Sequence, residues 1–215
     1  LEAYFQGKKD LFRGLAMERL EQDWESYPVL HIDFSISKYL SAHYLRSAIN
    51  WFLERWEREY GCCVEDKKGT PFSVRLGNVI ESAYKKTGKA VVVLVDEYDS
   101  PMLDTNSDVA LQGELRGIMR DFFSPLKGMG QYLRFLFITG ISKFSQMSIF
   151  SELNNLQNIS MRDDFSAICG TPEEALAQID SKQYAVPYQA DGRRVVKVGV
   201  NFDSATRTIG EWIVR

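Results

Sequence analysis

Ala90-Val91-Val92-Val93-Leu94-Val95-Asp96-Glu97-Tyr98-Asp99 is the stretch that decides the fold. Val91 to Val95 are all aliphatic, four of the five are β-branched, and segments of helical periodicity lie on either side. A run of this kind predicts a strand buried on both faces of a parallel sheet, because neither face alternates with solvent. The strand delivers two adjacent carboxylates, Asp96 and Glu97, at its carboxyl end. Acidic residues also commonly follow a buried strand for no reason but solubility, so the pair by itself leaves both readings open.

Ligands of open α/β sheets sit outside the carboxyl ends of the strands. An aliphatic strand that ends there in Asp-Glu is how a P-loop NTPase presents its Walker B pair. In that role Asp96 would hold Mg²⁺, directly or through water, and Glu97 would polarise the attacking water. Phosphoryl transfer also needs a Gly-rich loop with Lys and Ser/Thr around the phosphates, and a polar group on a neighbouring strand to sense the γ-phosphate. Thr139 or Ser142, after the hydrophobic run Tyr132 to Ile138, would supply the sensor hydroxyl, with Lys143 as a nearby cation. The alternative is that Thr139-Gly140-Ile141-Ser142 simply turns the chain. No G-x-x-x-x-G-K-[ST] occurs: Gly7-Lys8-Lys9 and Gly88-Lys89-Ala90 hold only the dipeptide. Without that cradle the chain is not expected to hydrolyse a nucleotide alone.

The rest of the sequence supplies the layers around this strand. Tyr27-Pro28 leads into Val29-Leu30-His31-Ile32-Asp33-Phe34-Ser35, a second strand, in which His31 reads as a packed or edge residue. Leu45, Ile49, Phe52 and Trp56 recur at helical spacing, with Glu54, Arg55, Glu57 and Arg58 on the wet side. Thr70-Pro71 predicts a helix start capped by the threonine hydroxyl, with Phe72, Leu76, Val79, Ile80 and Ala83 as its buried stripe and Gly88 as its stop. Ser100-Pro101 reads as the entry to a polar loop, followed by a helix carrying Leu111, Leu115, Ile118, Met119 and Phe122, and then the third strand. Strand, helix, helix, strand, helix, strand is the rhythm of a doubly wound sheet. After Gly170 a capped helix start at Thr171-Pro172 and two short strands, around Val195 to Phe202 and Thr208 to Val214, read as a helix and β-hairpin. A boundary near Gly170 divides 1–170 from 171–215.

Composition narrows the classes. Hydrophobic residues at 45% argue for a packed protein over a disordered one, and a net charge of -3 gives no general basic surface for nucleic acid. Cys62, Cys63 and Cys169 with two histidines make neither a zinc site nor a disulfide framework, so a reducing cytoplasm is the simplest compartment. No run reaches the roughly 18 apolar residues of a membrane span.

Leu1 to Leu15, Tyr27 to Ser35, Val93 to Asp99 and Arg134 to Ser145, continuing to Leu156, resemble the AAA-ATPase-like domain of a widespread bacterial family. Members of that family typically join the domain to a C-terminal PD-(D/E)XK nuclease, and Glu174 to Arg215 is similar to the closing helix and hairpin of the nuclease. The resemblance implies a P-loop NTPase-like parallel sheet with flanking helices, here lacking its first strand and P-loop. It further implies ATP and Mg²⁺ as ligands and nucleic acid as a partner. The family's Walker A loop precedes the segment similar to Leu1 to Gly7, and its linking region and nuclease strands fall between the two matched parts. We therefore expect a truncated, internally deleted member. The nuclease carboxylates are not found: Glu65-Asp66-Lys67 fits Glu-x-Lys but lacks a flanking strand, and Gln178 and Lys182 read as solvated helix positions. The competing expectation is a non-catalytic module that self-associates through an unpaired sheet edge.

Overall fold

The computed structural model describes residues 1–62, 64–67, 69–105, 108–140, 149, 156–157, 159, 176–177, 180, 196–203 and 208–214. The chain divides into two compact units, Leu1–Asn155 and Leu156–Arg215. In the first, β1 (Val29–Asp33), β2 (Val91–Asp96) and β3 (Leu133–Ile138) form a parallel sheet in the order β1-β2-β3. The aliphatic run is thus the middle strand, and Val91 to Val95 are all buried. Register pairs Asp33 with Asp96 and Val95 with Ile138, so all three strands end at one level.

One face of the sheet carries three helices, α3 (Ala42–Tyr60), α4 (Phe72–Thr87) and α6 (Val109–Phe123). Leu30, Ile32, Val91, Val93 and Val95 pack there against Leu53, Trp56, Leu76, Ile80, Met119 and Phe122. The stripes read from helical spacing are buried where expected, with Phe72 and Leu111 partly so. The other face is covered by the N-terminal segment. Phe5, from the short helix α1 (Glu2–Phe5), sits on Val92 and Leu94, with Tyr4, Tyr27, Phe135 and Phe137 around it. His31, on β1, an outer strand of the described sheet, holds Glu2 Oε2 at 2.8 Å through Nδ1. A second short helix, α2 (Ala16–Leu20), precedes β1.

Three expectations need correction. Glu57 does not face water: it is 4% exposed and bonds bidentately to Arg75, itself fully buried, at 2.7 and 3.0 Å. Helical periodicity put it on the polar face, but that flank of α3 is where α4 docks. The Thr70 hydroxyl does not cap α4, for it turns back to the Asp66 carbonyl at 2.6 Å. Pro71 is the N-cap instead, and Asp121 of α6 takes the first helical N–H, from Phe72, at 3.2 Å and the Ser73 hydroxyl at 2.7 Å. Ser100-Pro101 opens α5 (Ser100–Leu103), a helical turn, where a polar loop was expected.

In the second unit β4 (Val198–Asp203) and β5 (Thr208–Val214) form the expected antiparallel hairpin. Residues 176–177 and 180 are helical, and Lys197 pairs with Asp180. Gln178 and Lys182 lie outside the described residues. Among the described residues no helix is long and apolar enough to cross a membrane.

Candidate functional site

The carboxyl ends of the three strands bring Asp96, Glu97 and Thr139 together. Thr139 follows β3 directly and is fastened to β2 by its own N–H, which donates to the Val95 carbonyl at 2.8 Å. The Tyr98 N–H returns to the Thr139 carbonyl at 3.1 Å, so the two strand ends are stitched beyond the regular ladder. The Thr139 hydroxyl donates to Asp96 Oδ1, and the Glu97 N–H donates to the same oxygen at 3.1 Å. Oδ2 of Asp96 accepts nothing among the described residues, and the side chain is exposed. An exposed carboxylate with one oxygen oriented by two donors and the other open suits a single-carboxylate Mg²⁺ site, whose remaining ligands are water and phosphate.

Glu97 lies in the left-handed region, with φ +47, and the Ser100 hydroxyl donates to its Oε2 at 2.9 Å. A non-glycine residue in that region costs about 1 kcal/mol or more, and such strain gathers where a side chain must be aimed. The twist sends Glu97 to solvent while Tyr98 and Asp99 turn into the core. Gly140 makes this possible, because a Cβ at that position would collide with the Tyr98 ring and with Asp99 Oδ1.

Two loops flank the pair. Asp33 stands opposite Asp96 in the parallel register and accepts the Ser35 N–H at 2.8 Å. Asp104, after α5, accepts the Tyr39 N–H at 3.1 Å and Lys38 Nζ at 3.2 Å, tying the loop after β1 to the loop after β2. Burial, then the charges of Asp33 and Asp104, push the Tyr39 phenol well above the ordinary tyrosine range.

Of the residues singled out from the sequence, Asp96, Glu97 and Thr139 are brought together; Ser142 and Lys143 lie outside the described residues. Glu65-Asp66-Lys67 is structural: Asp66 accepts the Gly69 N–H at 3.0 Å, and Lys67 lies 3.6 Å from both Glu54 and Glu57. Among the described residues no group of three or more His, Cys, Asp or Glu side chains is arranged to hold a metal. Sequence reading missed Asp33, Ser100 and Gly140. Asp33 had a signal of the same kind as Asp96, an acidic residue closing an apolar strand; Ser100 depends on the left-handed turn at Glu97 three residues before it, and Gly140 on a contact between loops.

An open parallel sheet with helices against it, its middle strand ending in an acidic pair beside a hydroxyl from the next, has the layout of a P-loop-like α/β domain. Comparison with known proteins takes this further. A family model described as predicted AAA-ATPase matches residues 1–150, and one for the PD-(D/E)XK nuclease superfamily matches residues 151–212. The chain belongs to the predicted AAA-ATPase family. It is 37% identical over 174 residues to an uncharacterized protein in the vnfD 5' region of Azotobacter chroococcum mcd 1. That match takes in 80% of this chain and 33% of the relative, so the chain spans about a third of the relative's length. No solved structure matches.

Proposed function

We propose that residues 1–150 form the carboxylate side of a nucleotide-hydrolysing site, in a protein whose work is linked to nucleic acid through its nuclease-like part. The observation that carries this reading is the convergence of Thr139 and the Glu97 N–H on Asp96 Oδ1 at the carboxyl edge of the sheet. Asp96 would hold Mg²⁺, which when bound would neutralise charge on the phosphates. Thr139 keeps Asp96 in one rotamer, and as the sensor it would turn its one hydroxyl proton from Asp96 Oδ1 to the γ-phosphate. Glu97, aimed by its backbone twist and by Ser100, accepts a proton from the attacking water. Ser142 is the alternative to Thr139 as sensor hydroxyl in the same proposal. No Walker A motif lies within these 215 residues, so the phosphate cradle is not among them and turnover by them alone is not expected.

Calorimetric titration of ATP with Mg²⁺ into the purified chain, beside Asp96→Ala, tests this reading. Weak saturable binding that requires Mg²⁺ and is lost in the variant is expected; absence of binding in both, or equal binding in both, overturns it. A second reading, self-association without nucleotide, is favoured by β3, an outer strand of the described sheet whose Phe135 and Phe137 are only half-buried. Sedimentation of the same samples reads it directly as a dimer unaffected by ATP.

A further inference from the structure

At the opposite end of the strands, roughly 15 Å from Thr139 by the rise of an extended chain from Arg134, lies a pocket of about 210 Å³. One wall is Tyr4 and Phe5 of α1, and another is the connection that precedes β1. These walls are fixed to each other by backbone. Tyr27 N–H donates to the Phe5 carbonyl at 2.7 Å, and Gln6 and Ser26 form an antiparallel bridge. Gly7, at φ +67, lets the chain pass Trp24, since a Cβ there would lie 2.6 Å from the Trp24 carbonyl oxygen. Trp24 is itself held in the left-handed region, at φ +43, with its ring against Phe12 at 5.0 Å and Tyr4 at 6.0 Å.

Charge in the pocket is mostly negative: Glu21, Asp23 and Glu25 line it, against Arg134. The Tyr4 hydroxyl holds the Glu21 carboxyl below the usual carboxylate range, and the Tyr27 hydroxyl, with Lys89, does the same for Glu25. Both are therefore ionised at neutral pH. The surface already draws cations from its own chain, for Lys89 Nζ lies 5.3 Å and the Arg134 guanidinium 5.8 Å from the Tyr27 ring centre. Aromatic walls with ionised carboxylates favour a cation that carries apolar surface and disfavour phosphates and carboxylates. The volume is below the ~300 Å³ at which pockets for drug-sized ligands begin, and suits a group the size of one side chain.

We propose that this pocket binds a guanidinium or ammonium group on a short apolar stem. Its source is either a basic side chain of a protein or a free amine, and the two are separable by experiment. The full chain is titrated with agmatine, with arginine and with the blocked peptide acetyl-Gly-Arg-Gly-amide, while the Trp24 indole N–H is followed by NMR and assigned with Trp24→Phe. Saturable agmatine binding that moves the Trp24 signal is expected, weakened about tenfold or more by Asp23→Asn or Glu25→Gln, as loss of a charge-assisted contact requires. Glu114→Gln, which removes an exposed carboxylate from α6, leaves binding unchanged. Peptide binding as tight as agmatine supports a protein side chain as the source; tight agmatine and weak peptide binding support a free amine. Failure to saturate, an unmoved Trp24 signal, or undiminished binding in both pocket variants overturns the proposal. None of these outcomes depends on nucleotide binding at Asp96.

Discussion

The two faces of the sheet are filled by different means. Beneath α3, α4 and α6 the strands meet a sealed layer of aliphatic and aromatic side chains, crossed, among the described residues, by the buried ion pair of Glu57 with Arg75. On the other face Phe5, from the N-terminal segment, is buried against Val92 and Leu94, and its neighbours Tyr4, Tyr27, Phe135 and Phe137 are half-buried. Sealing an apolar layer gives stability in proportion to area, about 25 cal/mol for each Å² removed from water. A face held by a few rings and polar ties instead leaves room for a ligand. The difference places most of the fold's stability on the helical face and its candidate pocket on the other.

The sharpest way to break this comparison is at the ion pair. Glu57→Ala leaves Arg75 charged and buried, with only Asn50 bonded to it among the described residues, and should cost about 3–5 kcal/mol in denaturant unfolding. A loss under about 1 kcal/mol would mean that water reaches the α3–α4 contact and that the layer is not sealed. Phe5→Ala is expected to cost less, about 2–3 kcal/mol, since its half-exposed neighbours can close over the gap. Hydrogen exchange separates the faces further: amides of β3 should lose protection in Phe5→Ala while those of α3 and α4 keep theirs. The smallest effect is on pH. Burial raises the phenols of Tyr39 and Tyr60, both beneath the helical face, above the ordinary range. Their neutral forms favour the folded state, so this contribution is fully present below a pH of about 10, where an unfolded tyrosine ionises, and is lost as pH rises above it. Ultraviolet titration should show these two ionising only with unfolding.

Periodicity made the helical face legible. Leu45, Ile49, Phe52 and Trp56, or Leu76, Val79 and Ile80, recur with one period because one face of each helix must be apolar. The same rule misplaced Glu57, because a period records average polarity and not a charge neutralised across a helix contact. Thr70 has the composition of a cap, yet Asp121, 49 residues from Phe72, supplies the bond, and no local pattern carries that separation. At the candidate site Asp96 and Glu97 were legible from the strand that delivers them, and Thr139 from the strand beside it. Asp33, Ser100 and Gly140 were not read, since strand register, the left-handed turn at Glu97 and close approach across loops, respectively, decide their places. The pocket at Trp24 was invisible for a related reason: its walls come from α1, from residues 21–27 and from β3, which no single stretch joins.

Gly140 shows how such proximity can mislead. It adjoins Thr139, and no other residue fits beneath the Tyr98 ring, yet it contributes no donor, acceptor or charge of a side chain to Asp96 or Glu97. Its intolerance to substitution is borrowed from Tyr98 and Asp99, whose inward turn it accommodates. In a mutational survey that records only lost activity, this glycine would be grouped with the acidic pair. Chemically it is part of the wall against which that pair is set.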